Sequence, residues 1–158
     1  HVSQILVGAF GERMNGPDLP GRLVADDRKG RKNGRGYYLY DDTGKRGGVD
    51  ESVYDALGLG PRKELPRSEI QQRITLAMIN EAAVCLEEGI LRSARDGDIG
   101  AIMGIGFPPF RGGPFWYIDE VGVDEVIAQL RMLEARHGAR FAPAQILLDV
   151  AAKDGHFR

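Results

Sequence analysis

The chain has 158 residues, 28% charged and 42% hydrophobic, with a formal net charge of −2, a composition that suits an ordinary globular protein and excludes a strongly basic nucleic-acid binder. The single cysteine, Cys85, excludes an intramolecular disulfide, a Cys-rich zinc site and a CxxC redox pair, which fits a reducing, cytoplasmic setting. No apolar run approaches the roughly 20 residues of a membrane-spanning helix, and the first residues show no basic region ahead of a signal-like core.

Residue 1 is histidine and helical spacing begins at once, so the chain is expected to start partway through a larger polypeptide. Val2, Ile5, Leu6, Ala9 and Phe10 recur at intervals that predict an amphipathic helix to Met14. From residue 15 to 47, Gly, Pro, Asp, Lys and Arg dominate. That stretch reads as a linker, interrupted by Arg22-Leu23-Val24 and the aromatic run Tyr37-Tyr38-Leu39-Tyr40. The aromatic run followed by Asp41-Asp42-Thr43-Gly44-Lys45 predicts a short strand entering a turn, with a returning partner left open.

From about residue 48 to 158 the pattern is helical, and an all-α bundle is predicted. Asp50 caps a short first segment that Gly58, Gly60 and Pro61 stop. Ser68 with Gln71 forms a capping-box signature ahead of Ile70, Ile74, Leu76, Ile79, Val84 and Leu86, a helix apolar on most sides and expected at the buried centre. Ser93, with Asp96 as partner, opens the next helix, which runs into Gly104-Ile105-Gly106. Pro114 suits the first position of a helix through Phe115, Trp116, Tyr117, Ile118 and Val121 that Gly122 ends. Val126, Ile127, Leu130 and Leu133 carry a further helix to Gly138. Ile146, Leu147 and Val150 carry the last one, from near Pro143 to Gly155.

The chain holds no nucleophile elbow, Walker loop, paired carboxylates or metal-ligand spacing. His1, His137 and His156 have no carboxylate at a spacing that would orient them, and read as solvated surface residues. Lys32-Asn33-Gly34-Arg35-Gly36 could offer N–H groups and charge to a phosphate, but lacks the flanking strand and helix of a dinucleotide loop. A turn feeding Tyr37 to Tyr40 is the favoured reading. Arg111 stands between prolines and glycines in Phe107-Pro108-Pro109-Phe110-Arg111-Gly112-Gly113-Pro114, an arrangement that can aim one guanidinium at a carboxylate or phosphate. A carboxylate of the protein itself is the favoured partner. Asn80 and Glu81 interrupt an apolar helix, where burial would demand pairing, for example of Glu81 with Arg111. Trp116 and Tyr117 are expected to anchor helix packing.

Three segments, taken in order and spacing, add to this reading: Gly30 to Tyr38 (GRKNGRGYY), Ile79-Asn80-Glu81-Ala82 with Cys85 to Ile90, and Gly104 to Pro114 (GIGFPPFRGGP). Together they resemble the 3-hydroxyacyl-CoA dehydrogenase family, in the C-terminal helical part of its multifunctional fatty-acid β-oxidation members, and the resemblance covers essentially the whole chain. It implies a parent with an enoyl-CoA hydratase domain, a Rossmann NAD-binding domain and two related helical domains. Residues 1–14 would end the first helical domain, 15–47 would be the linker and 48–158 the second helical domain.

The resemblance implies hydride transfer from a 3-hydroxyacyl-CoA to NAD in the parent, with catalytic residues that all lie outside this chain and no cofactor bound here. The position matching the family's catalytic asparagine falls near Gln72, so this copy is expected to be a scaffold. Asn80, Glu81, Gly106, Pro108, Pro109, Gly112, Gly113 and Pro114 would be structural, while Lys32, Arg35 and Arg111 are the candidate substrate contacts. Expected partners are the missing Rossmann and first helical domains, with a thiolase subunit or a second copy as further candidates. The alternative is an interaction module for dimer or thiolase-complex assembly.

Overall fold

The computed structural model describes residues 2–14, 16–60 and 63–158; His1 and Pro61, both used in the sequence reading, lie outside them. The described residues form eight α-helices and one two-stranded hairpin, so the protein is mostly helical, as the patterns predict. The chain divides into two compact units, residues 1–64 and 65–158.

In the first unit, α1 (Val2–Phe10) buries none of its residues and tightens into a 3-10 turn at Gly11–Met14, ending earlier than the apolar spacing suggests. The stretch read as a linker holds more structure than its composition advertises. Helix α2 (Leu19–Ala25) starts where the Asp18 carboxylate accepts the Gly21 N–H at 2.9 Å. Pro20 falls in the first turn, where a missing N–H costs nothing, and Leu23 is buried with Val53 and Leu57. Strands β1 (Tyr38–Tyr40) and β2 (Arg46–Val49) pair antiparallel with Tyr38 opposite Val49, so the partner strand does return. Asp41 closes the turn by accepting the N–H groups of Thr43 and Lys45 at 2.9 and 3.0 Å.

Helix α3 (Val53–Ala56) follows Ser52 rather than Asp50. Asp50 accepts the Ser52 hydroxyl at 2.6 Å and its N–H at 3.1 Å, shaping the approach to the helix. Its other oxygen serves Arg28, which is 4% exposed. The Arg28 guanidinium reaches Asp26 and Asp50 at 2.7 Å each, the Gly36 carbonyl at 2.9 Å and the Ser52 hydroxyl at 2.6 Å. A desolvated guanidinium is tolerated only with its N–H groups used, and here they tie the end of α2 to the Gly36 loop and the start of α3.

In the second unit, α4 (Arg67–Glu87), α5 (Ala94–Ile105), α6 (Pro114–Val121), α7 (Val123–His137) and α8 (Gln145–Ala151) enclose one core. Leu76, Ile79, Asn80 and Ala83 form the buried stripe of α4, at the spacing of one helix face. Val126, Leu130 and Leu133 answer it from α7, Phe115 and Ile118 from α6, and Leu147 from α8. Two expectations are corrected here. Helix α4 begins directly after Pro66, whose extended backbone precedes it, and Ser68 makes no cap bond at its start. The helix is also buried along one stripe rather than on most sides: the apolar Ile70 and Ile74 are exposed. Asn80 is satisfied across the core: its amide donates to the Ala142 carbonyl at 2.8 Å and accepts the Ala144 N–H at 2.9 Å, fixing the chain that leads into α8.

Replacing Arg28 by Met strands the Gly36 carbonyl and leaves Asp50 with Arg35 and Ser52 as partners. The cost is expected at the lower end of the about 3–5 kcal/mol of a broken buried pair, because Asp26 is itself 41% exposed. Chemical denaturation followed by amide exchange across residues 23–53 measures it. The Ser52 hydroxyl first, and then Arg28 and Arg35, hold the Asp50 carboxyl far below the usual carboxylate range. An unfolded Asp takes up its proton near about pH 3.9, so the Asp50 contribution is full above that pH and is lost as acid titrates the depressed folded carboxyl. Protection of the same amides is therefore expected to hold from neutral pH to about 4 and to fall below it.

Candidate functional site

Helix α5 opens as read from sequence, with the Ser93 hydroxyl accepting the Asp96 N–H at 3.1 Å, and closes at Gly106 in the left-handed region (φ 74°). The chain then passes through Pro108, a 3-10 turn at Pro109–Arg111, and Gly112 and Gly113 before Pro114 begins α6. This path is fixed by Asp98, a mid-helix residue of α5 that is 1% exposed. One carboxylate oxygen accepts the N–H groups of Phe115 and Trp116 at 2.8 and 3.3 Å. It thereby satisfies two of the unpaired donors in the first turn of α6, where negative charge is also favoured by the helix dipole.

The other Asp98 oxygen accepts the Arg158 guanidinium at 2.8 and 3.1 Å, and that guanidinium lies 4.4 Å from the centre of the Trp116 ring. Close approach demands glycine: a Cβ on Gly113 (φ 114°) would stand 2.3 Å from Asp98 Oδ1, and one on Gly112 would stand 2.5 Å from Trp116 Cγ. Trp116 is thus a half-exposed brace on the loop, and the fully buried aromatic anchor is its neighbour Phe115.

The braced loop forms one side of an open groove of about 500 Å³, whose other walls come from α4, α6 and α7. Phe110 stands at its rim, 85% exposed. The Arg111 guanidinium lies 6.0 Å from the Phe110 ring centre and 5.8 Å from that of Tyr117, and among the described lining residues it is the only charged group. The expected pairing of Arg111 with Glu81 gives way to this aromatic seat. Glu81 is exposed, so burial imposes no demand on it, and it lines a different, almost wholly apolar groove with Cys85, Gly97 and Ile105.

Gln72 also faces the Arg111 groove. It donates to Gln129 Oε1 at 3.1 Å, and Gln129 donates to Glu125 at 2.7 Å. The polarity of this chain follows from its end. An ionised Glu125 can only accept, so the Gln129 amide must turn its NH₂ that way and its oxygen to Gln72. The Gln72 carbonyl oxygen is thereby left as an acceptor.

The other candidates lie elsewhere. Arg35 is bound to Asp50 at 3.1 Å and to Asp26 at 3.4 Å. Lys32 is exposed on a turn in which the N–H groups of Asn33, Arg35 and Gly36 bond to carbonyls of the same turn and strand. His137 departs from its reading as a solvated residue: it is partly buried, and its Nε2, which makes no hydrogen bond among the described residues, stands 3.8 Å from Glu69, 68 residues away in sequence. No histidine lines the Arg111 groove among the described residues, and none of their His, Cys, Asp and Glu side chains form a cluster that could hold a metal.

A helical bundle of this kind, with its Gly-Pro loop between the second and third core helices, agrees with what comparison finds. A family model described as 3-hydroxyacyl-CoA dehydrogenase, C-terminal domain, matches residues 70–158, and the chain belongs to that family. Over 157 residues it is 52% identical to the fatty acid oxidation complex subunit alpha of Shewanella amazonensis, covering 99% of this chain and 22% of that protein. The corresponding subunits of Shewanella oneidensis and Vibrio campbellii are 47% and 48% identical over 156 residues, again 99% of this chain and 22% of theirs. The chain thus resembles the C-terminal helical region of these alpha subunits and spans about a fifth of their length. No described helix is long and apolar enough to cross a membrane.

Gly113→Ala is expected to lower stability by about 3 kcal/mol, from the clash with Asp98 and the unfavourable φ together. Gly100→Ala, where an added Cβ meets nothing within 4 Å, is expected to be neutral or to stabilise by up to about 1 kcal/mol. Thermal unfolding of both variants beside the parent checks the contrast.

Proposed function

We propose that this chain is the helical scaffold at the C-terminal end of a multifunctional enoyl-CoA hydratase and NAD-dependent 3-hydroxyacyl-CoA dehydrogenase of fatty-acid β-oxidation, and that it performs no dehydrogenase chemistry by itself. Residues 1–14 end the preceding helical domain, 15–47 link, and 48–158 form the second helical domain. The observation that carries this reading is the groove at Gln72. The position set against the catalytic asparagine of the first helical domain falls near Gln72, a glutamine held by Gln129.

The role that remains is packing. Met103 is 81% exposed, and Ile99 and Ile105 of the same helix, like Val2, Ile5 and Phe10 of α1, are exposed as well. Surfaces of this kind mark places that a neighbour covers. The first helical domain and the Rossmann domain of the parent chain are those neighbours, and NAD and the acyl-CoA substrate bind in the cytoplasmic parent through parts outside these residues. A thiolase subunit or a second copy would use the same surfaces if the chain served mainly in assembly. Of Lys32, Arg35 and Arg111 as substrate contacts, Arg111 is the best placed, since it fronts a groove, whereas Arg35 is bound to Asp50 and Asp26.

The purified 158-residue protein, mixed with NAD and a 3-hydroxyacyl-CoA, is expected to produce no NADH above the protein-free rate. Turnover by protein of the correct mass would contradict the scaffold reading and require catalytic residues within this chain.

A further inference from the structure

The groove at Arg111 combines features that a packing surface does not need. Its guanidinium lies 6.0 and 5.8 Å from the centres of the Phe110 and Tyr117 rings and is exposed, so its N–H groups can meet a carboxylate in bidentate fashion. The loop carrying it is stiffened by Pro108 and Pro109 and leads into α6, whose Phe115 and Trp116 N–H groups bond to the buried Asp98, so little conformational freedom remains to be lost on binding. The floor, by contrast, is apolar, with the exposed Ile74 and the partly buried Met78. A volume of about 500 Å³ lies in the range of small-molecule sites, roughly 300–1,000 Å³.

From one cation on an otherwise uncharged, largely apolar groove, we propose that this is a binding site for an amphiphilic anion: a carboxylate that pairs with Arg111, on an aliphatic stem that covers Ile74 and Met78. Neither half suffices alone. An exposed ion pair in water is worth little, and an aliphatic chain without a charge leaves the guanidinium uncompensated beside it. The inference builds on Arg111 as a ligand contact but is separate from the scaffold reading and from any affinity for CoA. Absence of NADH production leaves it untouched, and its own failure leaves the scaffold reading intact.

The test is a titration of the 158-residue protein with decanoate, followed by NMR of the Gln72 and Gln129 side-chain amides and the Gly112 and Gly113 backbone amides. Decanol supplies the stem without the charge, and inorganic phosphate supplies the charge without the stem. Decanoate is expected to shift these signals saturably at submillimolar concentration, whereas decanol and phosphate do not saturate in that range. R111Q, at an exposed side chain that leaves the fold intact, is expected to weaken decanoate by about tenfold or more. I74D, which sets a like charge on the exposed floor, is expected to weaken it comparably. Absence of any shift with decanoate, equal binding by R111Q, or equal binding of decanol would overturn the proposal.

Discussion

The carboxylate of Asp98 is the constraint on which the second unit turns. It sits inside the protein, 1% exposed, on the middle of α5, and draws together the first turn of α6 and the guanidinium of Arg158. A buried anion left without partners would cost several kcal/mol. The chain therefore folds so that helix-end N–H groups and one arginine surround it, and the loop between α5 and α6 has little choice of path. Gly113 must lack a side chain to pass beside the carboxylate, and Gly112 must lack one to pass beside Trp116. Pro108 and Pro109 remove most of the remaining freedom. What emerges at the far side of this frame is Phe110 and Arg111, held outward at the rim of a groove.

The first unit solves a similar problem with the signs reversed. There the buried charge is the Arg28 guanidinium, and Asp26, Asp50, Ser52 and the Gly36 carbonyl close around it. Among its described residues the buried apolar cluster is Leu23, Val53 and Leu57, so a polar centre carries much of the specification that a larger core would otherwise supply. Arg35 is drawn into the same network, and that commitment separates it from Arg111 as a ligand contact.

Much of this was legible in the residues wherever the determinant is local. Gly106, Gly122 and Gly138 end helices where their sequence context says they should, Pro114 begins α6, and Ser93 caps α5. The determinants that stayed hidden act at a distance. Asp98 reads as an ordinary polar residue because its partners lie 17 and 60 residues away. Arg28 looks like one more charge in a charged stretch because Asp50 is 22 residues on. The approach of His137 to Glu69 is invisible for the same reason. Helix α2 was masked by the opposite effect: Pro20 and Gly21 signal a loop, yet in a first turn capped by Asp18 neither disrupts a helix. The capping-box pattern at Ser68 misled because Pro66 already sets the start of α4. The resemblance reached the family that comparison then showed, because the GFPPFRGGP segment encodes the loop that Asp98 frames.

We propose that these helices act as a scaffold that the dehydrogenase of a longer chain requires and that they contribute no chemistry. The most direct measurement is complementation. The Shewanella amazonensis alpha subunit, shortened by the region that matches this chain, is assayed for 3-hydroxyacyl-CoA oxidation by NAD with and without the 158-residue protein added in trans. Loss of activity on truncation and its recovery on addition, with the added protein silent alone, is the result this account predicts. A truncated subunit that keeps full activity without the added helices would contradict it.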